Sequence, residues 1–274
     1  MKKILSVLMI SALLILSGCD QQQTNTAGEQ QAVAEQPTEN MTAGQILAKA
    51  QEMNKDISSI EATMFTTMKM IGTDMPEDAI KMDMDMKFNL EPLFMHMVMD
   101  MGETAGVQMG QVEMYMDKEF MYMQIPGSET TSWIKMKQDE AFMDPDQYLE
   151  SFNADEYLSI MKEVEKDFTV EDTEEGYLLT YQGDGQALME QVLKNSPIMD
   201  GEEMPEIKIN ALDYKYLLNK TTYEPIRLDM DAEYQIEEGE TPMTIQQTMK
   251  MDYKSLNQPI DMTIPQEALD AVEQ

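Results

Sequence analysis

Residues 81–102 read KMDMDMKFNLEPLFMHMVMDMG, with methionine at nearly every second position. Met82, Met84, Met86 and Phe88 face one way, while Lys81, Asp83, Asp85 and Lys87 face the other. Glu91-Pro92 breaks the run, and Met95, Met97, Met99 and Met101 then resume it. A helix repeats its faces every 3.6 residues and a strand every 2, so this pattern specifies half-buried antiparallel strands and excludes amphipathic helices. The same period holds for Met64, Thr66 and Met68 against Phe65, Thr67 and Lys69. It continues through Met114 and Met116, and through Met121 and Met123 beyond a tight Asp117-Lys118-Glu119 turn. Thr131–Lys137 around Trp133 reads as a further strand.

Before the strands the period is helical. Thr42-Ala43-Gly44-Gln45 matches a capping box, and Ile46, Ala50, Met53, Ile57 and Ile60 follow at helical spacing, which predicts a helix over 43–58. Mid-chain, Asp146 is placed to cap a short helix over 147–152, and Asn153 or Asp155 a longer one carrying Tyr157, Leu158, Met161 and Val164. Strands are expected at about 167–173 and 176–182, separated by Glu174-Glu175-Gly176. Asp184 then caps a helix bearing Leu188, Met189, Val192 and Leu193, ended by Asn195-Ser196-Pro197. Three strands finish the chain, near 207–219, 225–236 and 242–253. Strands do not alternate with helices as a parallel sheet requires. The fold class is therefore α+β, one large antiparallel sheet with helices on one side.

The N-terminus predicts an address. Lys2 and Lys3 precede the apolar run 4–16, too short for a stable span, and Leu16-Ser17-Gly18-Cys19 follows. That ending resembles the bacterial lipobox, which implies that residues 1–18 are a lipoprotein signal peptide and that Cys19 receives diacylglycerol on its sulfur. Several palmitate-type chains hold a protein on a membrane where a single one binds marginally. An aspartate such as Asp20 resembles the inner-membrane retention signal of Gram-negative lipoproteins; in a Gram-positive cell it carries no such meaning. With Cys19 as the one cysteine, the remaining domain is expected to have neither disulfide nor thiol catalyst. Residues 19–40 comprise the lipidated cysteine and a Gln-, Thr-, Ala- and Glu-rich tether without apolar period. Residues 41–274 form one domain. Without Lys2 and Lys3 the chain has 17 basic and 52 acidic residues, a net charge of −35, which argues against nucleic-acid binding and against an anionic membrane face as partner.

The leading helix, the run of meandering strands, the helices after a Trp-containing strand and the ending together resemble the LolA/LppX-like group of bacterial lipid-handling proteins, and within it a Gram-positive lipoprotein family of unknown function. The most specific segments are YLLNKTTYEPIRLDMDAEY (216–234), similar to that group's late hairpin, and YKSLNQPIDMTIPQEALDA (253–271), similar to its closing segment. SWIKM (132–136) resembles its Trp strand. The resemblance covers about 41–274. It implies a large curved antiparallel sheet, a half-open β-barrel, with helices packed on the concave side and acyl chains sheltered there.

Sixteen of the 31 methionines lie between 64 and 123, so they belong to the strands and call for an explanation there. Three readings stand. The methionine face is a closed core; or it is an adaptable apolar wall, since thioether chains re-pack around variable guests; or it binds Cu(I) through soft sulfurs. Residues i and i+2 on a strand stand nearly 7 Å apart, which counts against convergence on a metal. His96, by alternation, points away from Met95 and Met97 and reads as a surface or rim residue.

One histidine and an anchored cysteine leave no plausible catalytic triad or Cys-His pair, and no phosphate loop, zinc spacing or calcium loop is present. Carboxylate pairs such as Asp83 and Asp85 lie on the polar strand face and are expected to be solvated. The reading adopted is a non-enzyme without cofactor or resident metal. It is a monomer lipid-anchored at the extracytoplasmic face of the cell membrane, binding or carrying a lipid or other apolar ligand. Met82, Met84, Met86, Met95, Met97, Met99, Met114 and Met116 would line its wall. The alternatives are a structural or adhesin-like surface lipoprotein with a closed core and, as a minor reading, a Cu(I)-binding protein.

Overall fold

The computed structural model describes residues 41–72, 80–104, 107–108, 110–125, 132–137, 158, 161–194, 206–237 and 242–273. Helix α1 (Ala43–Asn54) opens with the expected reciprocal cap. Thr42 Oγ1 accepts from the Gln45 N–H, and Gln45 Oε1 accepts from the Thr42 N–H. The helix stops at Asn54, short of the predicted 58. There the buried Asn54 amide donates to the carbonyls of Ala50 and Tyr223, both at 2.9 Å, tying the last turn to a distant loop. Met53, expected on the apolar stripe, is 57% exposed, and Ile60 belongs to the next strand.

Two blocks of strands follow. The first comprises β1 (Ser59–Ile71), β2 (Ile80–Leu90), β3 (Leu93–Asp100), a small ribbon of β4 (Glu103–Thr104) and β5 (Val107–Gln108), then β6 (Gln111–Met116), β7 (Phe120–Ile125) and β8 (Ser132–Lys137). The second comprises β9 (Phe168–Asp172), β10 (Tyr177–Tyr181), β11 (Glu206–Leu218), β12 (Pro225–Glu237) and β13 (Met243–Leu256). Eleven of them form one antiparallel sheet in the order β8-β7-β6-β3-β2-β1-β13-β12-β11-β10-β9. The edge strands β8 and β9 do not pair with each other, so the sheet is open. Each block is a meander of neighbours in sequence, and the two are joined by the long-range pairing of β1 with β13.

Turn chemistry sets the local boundaries. Asp117 Oδ1 accepts from the N–H groups of Glu119 and Phe120, which closes the β6–β7 hairpin at the predicted turn. At Gly176, between β9 and β10, a side chain would collide with the Leu218 carbonyl, so the close strand approach requires glycine.

Antiparallel alternation puts one face of the sheet into the main core. Ile60, Ala62, Met64, Met68 and Met70 of β1 are buried together with Ile245, Met249 and Met251 of β13 and Leu228, Met230 and Ile236 of β12. The helical pieces contribute to that same core through Ile46 and Leu47 of α1, Met161 and Val164, and Leu188 and Met189 of α2 (Gln186–Lys194). Asp184 caps α2 as expected, its carboxylate accepting from the Gln186 N–H at 3.0 Å. The Gln186 amide also clips α2 to the bulged part of β11, donating to the Ile207 carbonyl and accepting from the Ile209 N–H. The helices expected over 147–152 and from 153 or 155 fall mostly outside the described residues, of which 158 and 161–163 are helical.

A second, smaller apolar layer lies on the other face. Tyr115 and Tyr122 are buried there with Phe94, Phe120 and Trp133 beneath Ile264 and Ala268, the latter in the short helix α3 (Gln266–Leu269). The C-terminal segment reaches this layer by crossing the sheet. Asn257 Oδ1 accepts from the Ser58 N–H, Ser59 Oγ donates to the Gln258 carbonyl, and Lys137 Nζ meets Glu273 at 2.9 Å at the far edge.

Candidate functional site: the methionine face

All eight predicted wall methionines lie on the core-facing side of adjacent strands β2, β3 and β6. Pairing sets them in cross-strand rows. Met86 sits opposite Met97, and Met97 opposite Met114; Met84 sits opposite Met99; Met95 sits opposite Met116. Such partners have Cβ atoms about 4.5–5.5 Å apart, nearer than the i, i+2 neighbours on one strand. The rows extend beyond the predicted set. Met114 meets Met123, which meets Ile134, and Met116 meets Met121, which meets Met136. Sequence reading had placed Met121 and Met123 in strands without assigning them to the wall, because the order of pairing is not written in the alternation.

Along these rows the residues nearest β1 are buried and those further out are half-buried. Ala62 is 1% exposed and its partner Met86 2%, whereas Met97, Met114, Met123 and Ile134 further along are only half-buried. In the neighbouring row Phe88 and Met95 are buried and Met121 and Met136 half-buried. Of the predicted residues, Met82, Met84, Met86, Met95 and Met116 are buried, and Met97, Met99 and Met114 are half-buried. The face is thus sealed near the centre of the sheet and partly accessible in its outer strands. A stripe of unbranched thioether side chains with free rotamers is chemically suited to dispersion contact with flexible hydrocarbon.

His96 points to the opposite face, as alternation requires. Its Nε2 lies 2.9 Å from Glu113 Oε1, and its ring stacks on Tyr115 at 4.3 Å between centroids. Tyr115 donates to the same carboxylate oxygen at 2.8 Å. Burial first, then the hydrogen bond and charge of Glu113, push the Tyr115 phenol well above its ordinary value. Asp83 and Asp85 are exposed, as expected. Among the described residues no group of three or more His, Cys, Asp or Glu side chains is arranged to hold a metal ion.

An open groove of about 520 Å³ lies on the outer face over β1, β13, β12 and β11, lined by Thr67, Lys69, Asp213, Asp231, Glu233 and Thr248 among others. Its carboxylates are engaged within the sheet. Thr248 Oγ1 donates to Asp231 at 2.6 Å, Gln246 Nε2 to Glu233 at 2.8 Å, and Lys215 Nζ pairs with Asp213 at 2.8 Å. Gln247 and Ala232 also line this groove, and none of the eight predicted wall methionines does.

One inner-face residue escaped the sequence reading. Gln247 is 3% exposed and sits between Met68 and Ala232 on the inner face, which also carries the buried Thr66 and the Tyr234 hydroxyl. Its signal was present in the alternation Ile245, Gln247, Met249, Met251, where one polar residue occupies an inward position.

Solved structures similar to this chain share little sequence with it. LprF from Mycobacterium bovis is 12% identical, covering 82% of this chain and 97% of its own, with a TM-score of 0.38. A LolA superfamily protein from Nitrosomonas europaea is 13% identical over 81% of this chain and 96% of its own, with a TM-score of 0.25. A DUF1329 family protein from Desulfovibrio piger is 8% identical over 81% and 93%, with a TM-score of 0.27. They include the LolA group that the sequence resembles, while the reading of function rests on this chain's own residues. No curated protein matches the chain. A family of unknown function, DUF6612, matches residues 42–273, and the chain belongs to that family.

Proposed function

We propose that this protein is a lipid-anchored extracytoplasmic lipoprotein that binds or carries a lipid or other apolar ligand against its methionine face. In this reading Cys19 bears the acyl anchor, residues 19–40 are the tether, and the protein works as a monomer without catalysis or cofactor. The sheet is a half-open barrel with helices on its concave side, and the ligand takes up the accessible part of that concavity. The observation that carries the reading is the outward fall in burial along continuous methionine rows. The half-buried thioethers Met97, Met114 and Met123 follow one another along one row, with Met99 and Met136 in the rows on either side, which suits an adaptable wall. Burying an acyl chain of about 15 methylenes there, at about 0.8 kcal/mol each, leaves ample affinity after ordering costs.

The test is native mass spectrometry of residues 41–274, purified gently, followed by lipid extraction. A stoichiometric adduct that releases a lipid is the expected result. A bare mass, unchanged after incubation with membrane lipids, sinks the carrier reading and leaves the closed-core lipoprotein. Copper(I) binding by that bare protein would instead favour the metal reading.

A further inference from the structure

The half-buried methionines of the inner face are contiguous. Met97, Met114 and Met123 follow one another across β3, β6 and β7. Met99 lies in the row on one side, and Met121 with its partner Met136 in the row on the other. On the same strands and their neighbour β2, Met86, Met95 and Met116 are buried. One face thus carries thioethers that solvent reaches beside thioethers that it does not. β-Branched residues suit a half-buried pleated surface better than methionine does, so apolarity alone does not account for the choice. Two properties set methionine apart from Val, Ile and Leu: its unbranched flexibility and its oxidisable sulfur. In the lipoprotein proposed above the one cysteine, Cys19, is acylated, which leaves the thioethers as the chain's sulfurs open to an oxidant.

We propose that this patch, centred on Met97, Met114 and Met123, is a methionine-oxidation site through which hydrogen peroxide lowers the affinity of the wall for its acyl guest. The inference rests on the carrier reading above and gives that face a regulation. A sulfur lone pair attacks one peroxide oxygen, the O–O bond breaks and an S–O bond forms. The departing hydroxide takes the proton left on the transferred oxygen. Each thioether therefore gains one oxygen, loses two electrons and yields one water. The product, methionine sulfoxide, is polar. An acyl chain laid on it covers an S=O acceptor without supplying a donor, which costs affinity. The fold survives the same change, because at half-buried positions the new oxygen reaches water once the guest is gone. At Met86 or Met95 it would lack a partner, and burial keeps the oxidant from them. Adjacency multiplies the effect, since neighbours along the row present their oxygens to one stretch of hydrocarbon.

The full chain is treated with limiting hydrogen peroxide, and sulfoxides are mapped residue by residue by tandem mass spectrometry, with exposed Met53 of α1 as reference. The dissociation constant of monopalmitoylglycerol, a neutral single-chain lipid, is measured before and after. Met97, Met114 and Met123 are expected to oxidise after Met53 and well ahead of Met86 and Met95, with circular dichroism unchanged. Affinity should fall on the order of tenfold or more, the effect of covering polar groups without a partner. Saturating probe should slow oxidation of the three but not of Met53. The triple variant Met97→Leu, Met114→Leu, Met123→Leu should bind the probe and keep its affinity through the same treatment. Oxidation that spreads evenly over Met86 and Met95, or that unfolds the chain, overturns the inference. So does an affinity that oxidation leaves unchanged, or one that falls equally in the leucine variant, and both leave the carrier reading standing. Absence of protection by bound probe overturns it independently of any variant. A probe that fails to bind the untreated protein overturns the inference and the carrier reading together.

Discussion

The two halves of the sheet solve the same problem with different side chains. In β9–β13 the inner face is built mostly from branched and aromatic residues such as Leu179, Tyr214, Leu228, Ile236 and Ile245, with Met230, Met249 and Met251 among them, all buried, and helical residues Ile46, Leu47 and Met161 share their core. In β2, β3 and β6–β8 the corresponding positions are methionines, and their burial declines toward the edge. Branched and aromatic side chains have few rotamers and lock into a defined shape; methionine adapts to whatever lies against it. The difference teaches that the partly accessible positions of the sheet's inner face are written mainly in methionine, while buried methionines such as Met86, Met95, Met230 and Met249 serve as ordinary core. Compositional drift alone would have spread it evenly over both halves.

The sharpest way to break this comparison is to create equal truncations in the two halves. Leu228→Ala, at a site with no exposure, is expected to cost about 2–5 kcal/mol in urea unfolding. Met97→Ala, half-buried, should cost less than about 2 kcal/mol. Equal costs would mean that both halves are one uniformly packed core. Met97→Gln sharpens the same contrast, since it should deplete co-purified lipid while leaving most of the stability intact.

The outer aromatic layer beneath the C-terminal segment belongs to the methionine half, and pH separates it from the rest. Tyr115 ionises near 10 when unfolded but above its ordinary value in the folded protein, owing to burial and then Glu113. A raised folded value means that its stabilising contribution is complete below pH 10 and is lost as pH rises beyond it. Alkaline unfolding should therefore shift to higher pH in Tyr115→Phe, followed by far-ultraviolet circular dichroism. No change would place the alkaline weakness at Tyr122 of the same layer or at Tyr181 of the other half, both also raised by burial.

Smaller effects complete the series. Thr42→Ala removes the capping box of α1 and should cost about 1 kcal/mol, read as a lower thermal midpoint. Arg227 Nε meets Asp252 Oδ1 at 2.9 Å, but both side chains are 44% exposed. Arg227→Ala should therefore cost less than about 1 kcal/mol and vanish at high salt.

Much of this was legible in the residues. Period-two alternation specified β1, β2 and β3 and the face of the methionines Met82, Met84, Met86, Met95, Met97 and Met99, because side-chain direction in a strand is a local property. Thr42, Asp117 and Asp184 announced a helix start, a hairpin and another helix start, since a cap or turn is closed by atoms two or three residues away. Where α1 ended was less legible. Asn54 is held by the carbonyl of Tyr223, a partner 169 residues distant.

The sequence by itself thus determined which segments are strands, which side of each is apolar, and that methionine dominates one block. Tertiary structure alone decided that β1 pairs with β13 and so joins the two meanders into one sheet. It alone separated buried Met86 from half-buried Met97, placed the C-terminal segment over Tyr115 and Tyr122, and buried Gln247 beside the Tyr234 hydroxyl. The physical reason is range. Periodicity and capping are fixed by neighbours along the chain, whereas depth of burial and satisfaction of a polar group depend on which distant surfaces meet.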